Sequence, residues 1–267
     1  MNIDKQLNHL IEVLYETVLD ASRWQEAVGL CGHYTGGVEA HLLTVDKATY
    51  NPIASIFAAT YFDDKVGADY ANYFIGIDPR RNLLDDAAVN EWKCCHHFFN
   101  QNFVGHNEFY QDFFITVGAR YAMVAIIDDT STQQSVIGIS RALGQPPFGE
   151  AEQRAAERIG SHLQRVLRLQ KHTQVLQASA DLGSRALDAL TIPLFIVDNN
   201  AKILQINTCA DQFLNRPNPA LRYKNGHLLT TNSATRHTFS NLITAATGYP
   251  AIGGGLFLPA RKMDSYL

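Results

Sequence analysis

Along the start of the chain, Leu7, Leu10, Ile11, Leu14, Val18 and Leu19 recur at three- and four-residue spacing. That stripe predicts an amphipathic helix with one buried face. Asp20 and Ser22 offer capping oxygens ahead of a second short helix over 24–30, which Gly32, Gly36 and Gly37 end. Residues 38–46 and 52–60 then read as strands around a polar turn at 47–51. An irregular and partly helical stretch rich in aromatic residues follows. Residues 119–128 and 134–141 read as a second strand pair, joined by a turn whose Asp, Thr and Ser side chains fold back on the backbone. Four strands with flanking helices predict an α+β layer architecture of the sensory kind.

A long helix is expected next. Pro146 and Pro147 break the chain, and Glu150 and Glu152 sit where a helix amino terminus favours negative charge. Ala155, Ile159, His162, Val166, Leu169, Thr173 and Leu176 alternate at four and three residues, a heptad seam. His162 and Thr173 weaken it, so the helix is expected both to pack on its own domain and to meet a second copy through Ile159, His162, Val166, Leu169 and Leu176. Arg154, Arg158, Arg165 and Arg168, interspersed with Glu152 and Glu157, read as a solvated face. Beyond residue 179 the pattern restarts: a helix over 182–190, strands at 193–198 and 202–207, a helix over 208–214, a strand at 226–230 and a helix over 234–247. Gly253, Gly254 and Gly255 lead into Leu256 and Leu258, and residues 263–267 resemble a strand just begun. An unpaired sheet edge is a liability that domains cover, so the natural chain is expected to continue past Leu267.

Composition then removes several classes of function. The 267 residues allow two domains of roughly 100–200 residues each. A net charge of -4 and a pI near 6.2 argue against a chain that itself grips a nucleic-acid backbone. The longest apolar run, 121–127, is far below the roughly 20 residues of a membrane helix, and the polar amino terminus lacks a signal-peptide core. Four irregularly spaced cysteines, Cys31, Cys94, Cys95 and Cys209, suit a reducing cytoplasm. Adjacent Cys94, Cys95, His96 and His97 invite a metal reading, but four consecutive side chains cannot converge on one ion from a strand or helix. They are read as core residues and ring partners, with neither metal nor cofactor expected. No Gly-x-Ser-x-Gly elbow or phosphate loop is present, and His96, His97 and His106 are not paired with Cys94 or Cys95 by sequence proximity alone. The chain is expected not to be an enzyme.

Against that background, residues 187–198, LDALTIPLFIVD, with Ile206, Asn207 and the helix after them, resemble the opening of a PAS domain. Residues 255–261 resemble a late strand of the same module. Phe148 to Glu152, leading into 159–169, resembles the exit helix of a GAF-like sensory domain. This order is similar to that of large LuxR-type bacterial transcriptional regulators. The resemblance implies a GAF-like domain over 1–150, a linking and dimerisation helix over 151–178 and a PAS-like domain over 179–267. It also implies a homodimer that reaches DNA only through a helix-turn-helix domain outside this chain. Tyr61, Tyr70, Asp78, Pro79 and Trp92 further resemble the autoinducer-binding domain of the quorum-sensing members, with Lys65 near the place of the family's tryptophan. There, aromatic residues and an aspartate hold an acyl-homoserine lactone.

Tyr61, Tyr70, Tyr73, Phe74, Asp78 and Trp92 are therefore the candidate ligand-binding residues, since aromatic walls with a few polar tips make a small-molecule pocket. The competing reading is a plain aromatic core in which Asp78 only starts a turn before Pro79. At the level of function, the alternative is a dimerisation or protein-docking module that binds no small molecule.

Overall fold

The computed structural model describes residues 3–59, 64–217, 219–248, 253–256 and 258, and the chain divides into two compact units, Met1–Gln174 and Val175–Leu267. The first unit runs α1 (Ile3–Glu16), α2 (Trp24–Tyr34), β1 (Glu39–Asp46), β2 (Pro52–Ala59), α3 (Asp64–Asp69), α4 (Ile75–Ile77), β3 (Lys93–Cys94), α5 (Gln101–His106), β4 (Ala119–Asp129), β5 (Gln133–Ala142) and α6 (Glu150–Asp188). Its five strands form an antiparallel sheet in the order β2-β1-β5-β4-β3. Local chemistry sets the breaks. The Asp20 carboxylate accepts the Ser22 N–H at 3.0 Å ahead of α2, and Asp46 accepts from Ala48 and Thr49 to turn the chain between β1 and β2. Gly36, at φ 73°, carries the chain out of α2 in the left-handed conformation.

Side chains alternate across a strand, so the sheet has two distinct faces. Ala40 and Leu42, Ile137 and Ile139, and Met123, Ala125 and Ile127 point to one face and pack in a core with α1, α2 and α6. The opposite parity, including His41, Leu43, Val136, Gly138, Val124 and Ile126, looks onto the aromatic segments between β2 and β4. The apolar run 121–127 is thus a strand with protein on both of its faces.

The helix α6 is continuous for 39 residues, where the sequence pattern suggested two helices. Its start is tied down by Arg141, which donates to Glu152 at 2.8 Å and to the carbonyls of Pro146 and Pro147, while Glu152 accepts the Gly149 N–H at 3.0 Å. The division between the two units falls inside α6, and its first part is a core element of the first unit. Asn90 fixes it there. Its side-chain amide donates to the Glu157 carbonyl at 2.9 Å and to the Ser161 hydroxyl at 3.2 Å, and its carbonyl oxygen accepts the Trp92 indole N–H at 3.1 Å. Gly160 makes the space: a Cβ there would lie 1.8 Å from the Asn90 side-chain oxygen.

The second unit holds the end of α6, the hairpin β6 (Phe195–Val197) and β7 (Ile203–Ile206), α7 (Thr208–Leu214), the hairpin β8 (Leu221–Lys224) and β9 (His227–Thr230), and α8 (Arg236–Thr247). Asn207 is its organising residue. Buried, it donates to the Leu187 and Ile192 carbonyls and accepts from the Leu194 and Ala210 N–H groups, the last capping α7. Asp188, the last residue of α6, accepts from the Thr208 N–H at 2.7 Å and hydroxyl at 2.9 Å. The expected late strand at 255–261 and the one at 263–267 lie largely outside the described residues. Among the described residues, no helix is long and apolar enough to cross a membrane.

Candidate functional site

The cavity-facing side of the first unit's sheet encloses about 410 Å³, within the range of small-molecule sites. Residues of β1, β4 and β5 form its floor, with Gly138 directly across from His41 in the strand register, so no side chain rises there. The walls come from two aromatic stretches, 70–74 and 109–114, both wound as wider π-helical turns. Such turns recur at functional sites. Tyr70 stands edge-on to His41 at 5.6 Å and lies 5.5 Å from Phe113, while His41 stacks on Phe57 with centroids 3.5 Å apart.

A buried polar cluster occupies one side of the cavity. Asp78 begins the turn at Pro79–Leu83, its Oδ1 accepting the Arg80 N–H at 2.9 Å. The same carboxylate takes the Arg80 guanidinium at 2.6–3.1 Å and the Tyr70 hydroxyl at 3.0 Å. The Arg80 guanidinium lies over Phe109 at 4.7 Å and Phe114 at 4.5 Å. Burial opposes the charge on Arg80, and the adjacent Asp78 carboxylate overrides that, holding its pKa above the ordinary value. Burial and the Asp78 charge raise that of Tyr70. Burial also pushes the Glu39 carboxyl up to about 7, against the pull of Arg80. His41 is pushed down to about 3 by burial and by Arg80, so its ring is neutral.

The structure sorts the sequence candidates. Tyr70 and Asp78 line the cavity, and Tyr61 lies outside the described residues. Both readings of Asp78 apply at once: it starts the turn and it faces the cavity. Its oxygens are already engaged by Tyr70 and Arg80, which leaves little of the carboxylate for a ligand amide. Phe74 stands behind the wall, stacked on Phe113 at 4.7 Å. Tyr73 is exposed and donates to Glu108 at 2.6 Å, outside the cavity. Trp92 is 2% exposed and belongs to the core on the opposite face of the sheet, because its indole N–H is bound to Asn90 beneath α6.

The heptad seam is divided in the same way. Ile159 and Val166 are buried in the first unit's own core, and His162 sits at its edge beside Tyr15. Leu169 and Leu176, 43% and 57% exposed, remain on the surface. An intramolecular core takes up the inward positions because α1 and the sheet lie against them. Of the cysteines, Cys94 and Cys95 are buried, and the Cys95 sulfur accepts the Ala122 N–H at 3.1 Å. Among the described residues, no three His, Cys, Asp or Glu side chains converge as metal ligands would.

Sequence reasoning missed Glu39, His41 and Arg80. The signal was available for the first two: alternation along 38–46 puts Glu39 and His41 on the same face as Leu43 and Val45, an unusual place for a carboxylate. Arg80 gave none, since Pro79 followed by two arginines reads as a solvated turn.

The fold these elements build is α+β, an antiparallel sheet with its core on one face and a roofed cavity on the other. No protein-family model matches the chain, and no curated protein does. Among solved structures it is similar to the LBD domain of VqsR from Pseudomonas aeruginosa, at 11% identity over 63% of this chain and 96% of that one, with a TM-score of 0.44. It is similar to the N-acylhomoserine lactone dependent LuxR family transcription factor CepR2 from Burkholderia cenocepacia, at 12% identity, 61% and 98% coverage and a TM-score of 0.41. A further similar structure is SdiA from Escherichia coli, at 14% identity, 60% and 68% coverage and a TM-score of 0.41. Likenesses at this level transfer neither a ligand nor a residue's role.

Proposed function

We propose that the chain is the signal-sensing region of a LuxR-type transcriptional regulator. A small molecule enters the first unit's cavity, and α6 carries the change onward, through a PAS-like second unit, to a helix-turn-helix domain. The observation that supports this most is the cavity itself: aromatic and apolar residues in its walls, an open floor at Gly138, and the half-buried to buried polar group of Glu39, Asp78 and Arg80 among its lining. The cavity wall also runs directly into the helix latch, since Leu84 and Ala87 line the cavity and Asn90 and Trp92 follow within a few residues. A ligand with different affinity for two arrangements of this segment shifts the helix by that difference, typically about 1–3 kcal/mol. Exposed Leu169 and Leu176 support a homodimer along the outer side of α6.

The test is ligand-induced stabilisation of the full chain, with Gly138→Val, which fills the floor, as the blocked control. A stabilising compound should also change amide exchange along α6, and Gly138→Val should lose both effects. Stabilisation that survives Gly138→Val would move the binding site elsewhere. In the source gene, the reading frame past codon 267 should enter a basic helix-turn-helix segment. A stop codon there removes the DNA-directed part of the reading and favours a free-standing binding module.

A further inference from the structure

The charges that line the cavity do not balance. Asp78 and Arg80 neutralise each other, and the carboxylate's oxygens are filled by the Arg80 N–H groups and the Tyr70 hydroxyl. Glu39 adds a second carboxyl from β1, facing the same guanidinium. It makes no hydrogen bond or ion pair among the described residues. His41, two residues along the same face, is neutral and has its Nε2 engaged with the Ser55 hydroxyl at 3.0 Å. In the sheet register Ser140 stands directly opposite Glu39, and both line the cavity. A half-buried carboxyl that faces a cavity and has no hydrogen-bonding side chain of its own is open to a ligand group that donates to it.

We propose that the cavity takes a ligand with a basic nitrogen, an aliphatic amine on an aromatic or apolar body, and that Glu39 is the anchor for that nitrogen. The proposal rests on the cavity being a ligand site. An ammonium group has three donors and no acceptor, which suits the Glu39 carboxylate with the Ser140 hydroxyl beside it. The aromatic wall of Phe57, Tyr70 and Phe113 presents ring faces and edges to the body of such a ligand, and a ring face attracts a cation. Among the described residues, a carboxylate ligand has Arg81 as the one lining cation without a carboxylate partner. Arg80 is already paired, and Glu39 repels such a ligand. Nearer the mouth Lys47 is paired with Asp129 at 2.8 Å, while Arg81 donates to the Ile75 carbonyl, lies over Tyr50 and shares the rim with Asp85.

Phenylbutylamine, phenylbutanol and phenylvalerate share one apolar body and differ in the charge of the head, so calorimetric titration of the full chain with each separates the cases. At about pH 8, where Glu39 is mostly ionised, the amine should bind about tenfold or more tighter than the alcohol, and the acid more weakly than either. Glu39→Gln keeps the shape and removes the charge. It should bring the amine down to the alcohol's affinity and leave the alcohol unchanged. Acid binding as tight as the amine, or an amine affinity indifferent to Glu39→Gln, overturns the anchor. If the alcohol binds, Gly138→Val blocks it, and the amine gains nothing over it, the ligand site stands and the amine class falls. If none of the three binds at millimolar concentration, the amine proposal falls with the cavity reading for ligands of this size.

Discussion

Replacing Glu39 by Gln should stabilise the first unit, and more so as pH rises. The carboxyl's pKa is lifted from 4.5 to about 7 by burial, which at about 1.4 kcal/mol per pH unit sets a ceiling of about 3–4 kcal/mol. Water entering through the cavity mouth lowers that, so a difference of about 1–3 kcal/mol is expected. The sign follows from proton uptake. Between about pH 4.5 and 7 the unfolded chain has released this proton while the folded chain still holds it, so raising pH favours unfolding. Below that window wild type and Glu39→Gln share one protonation state and their stabilities should converge. Above it the variant should keep its full advantage. Urea unfolding followed by tryptophan fluorescence reports the right unit, because the two tryptophans, Trp24 and Trp92, are both buried in its core. Stability curves that stay parallel from about pH 5 to 8 would refute the raised pKa of Glu39.

Other expectations follow from the same contacts. His41 is held neutral, with its pKa near 3, so wild type loses stability as pH falls below the unfolded value of 6.5; His41→Phe, which keeps the stack on Phe57, should flatten that acid limb in the same urea experiment. Asp78→Ala strands the buried Arg80 charge and should cost about 3–5 kcal/mol, and adding Arg80→Leu should recover part of the loss; a full additive loss would deny the pair. Gly160→Ala cannot be accommodated beside Asn90 and should destabilise by about 1–3 kcal/mol, whereas in an Asn90→Ala background its cost should shrink. If the proposed homodimer uses this side of α6, Leu169→Glu with Leu176→Glu should convert it to a monomer in sedimentation and lower the unfolding midpoint only to the monomer's own, concentration-independent value; an unchanged mass would place any assembly elsewhere.

The parts of the molecule governed by short-range periodicity were legible in the sequence. The strand alternation in 38–46, 119–128 and 134–141 and the stripe from Leu7 to Leu14 led to the elements observed. What remained hidden depends on long-range choice. A heptad seam records only that one side of α6 is apolar, and the same Ile159 and Val166 serve an intramolecular core as well as a dimer. Trp92 likewise sits near pocket residues in the chain, yet the sheet separates it from the cavity. Asn225 and Gly226, with φ of 51° and 85°, form the two-residue turn of the β8–β9 hairpin, a sequence signal for pairing. The first of these strands went unread because Arg222, Tyr223 and Lys224 face solvent and leave no apolar alternation to see.

Gly160 has a mechanical consequence. A helix turns by about 100° per residue, so rotating α6 by one position would bring Ile159 or Ser161 to the level of Asn90. The gap there does not admit one methyl group, still less either of those side chains. Turning the helix by a residue at this level therefore requires Asn90 to withdraw and give up its bonds to Glu157, Ser161 and Trp92. A single asparagine side chain thus couples the rotational setting of α6 to the segment that leads into the cavity wall.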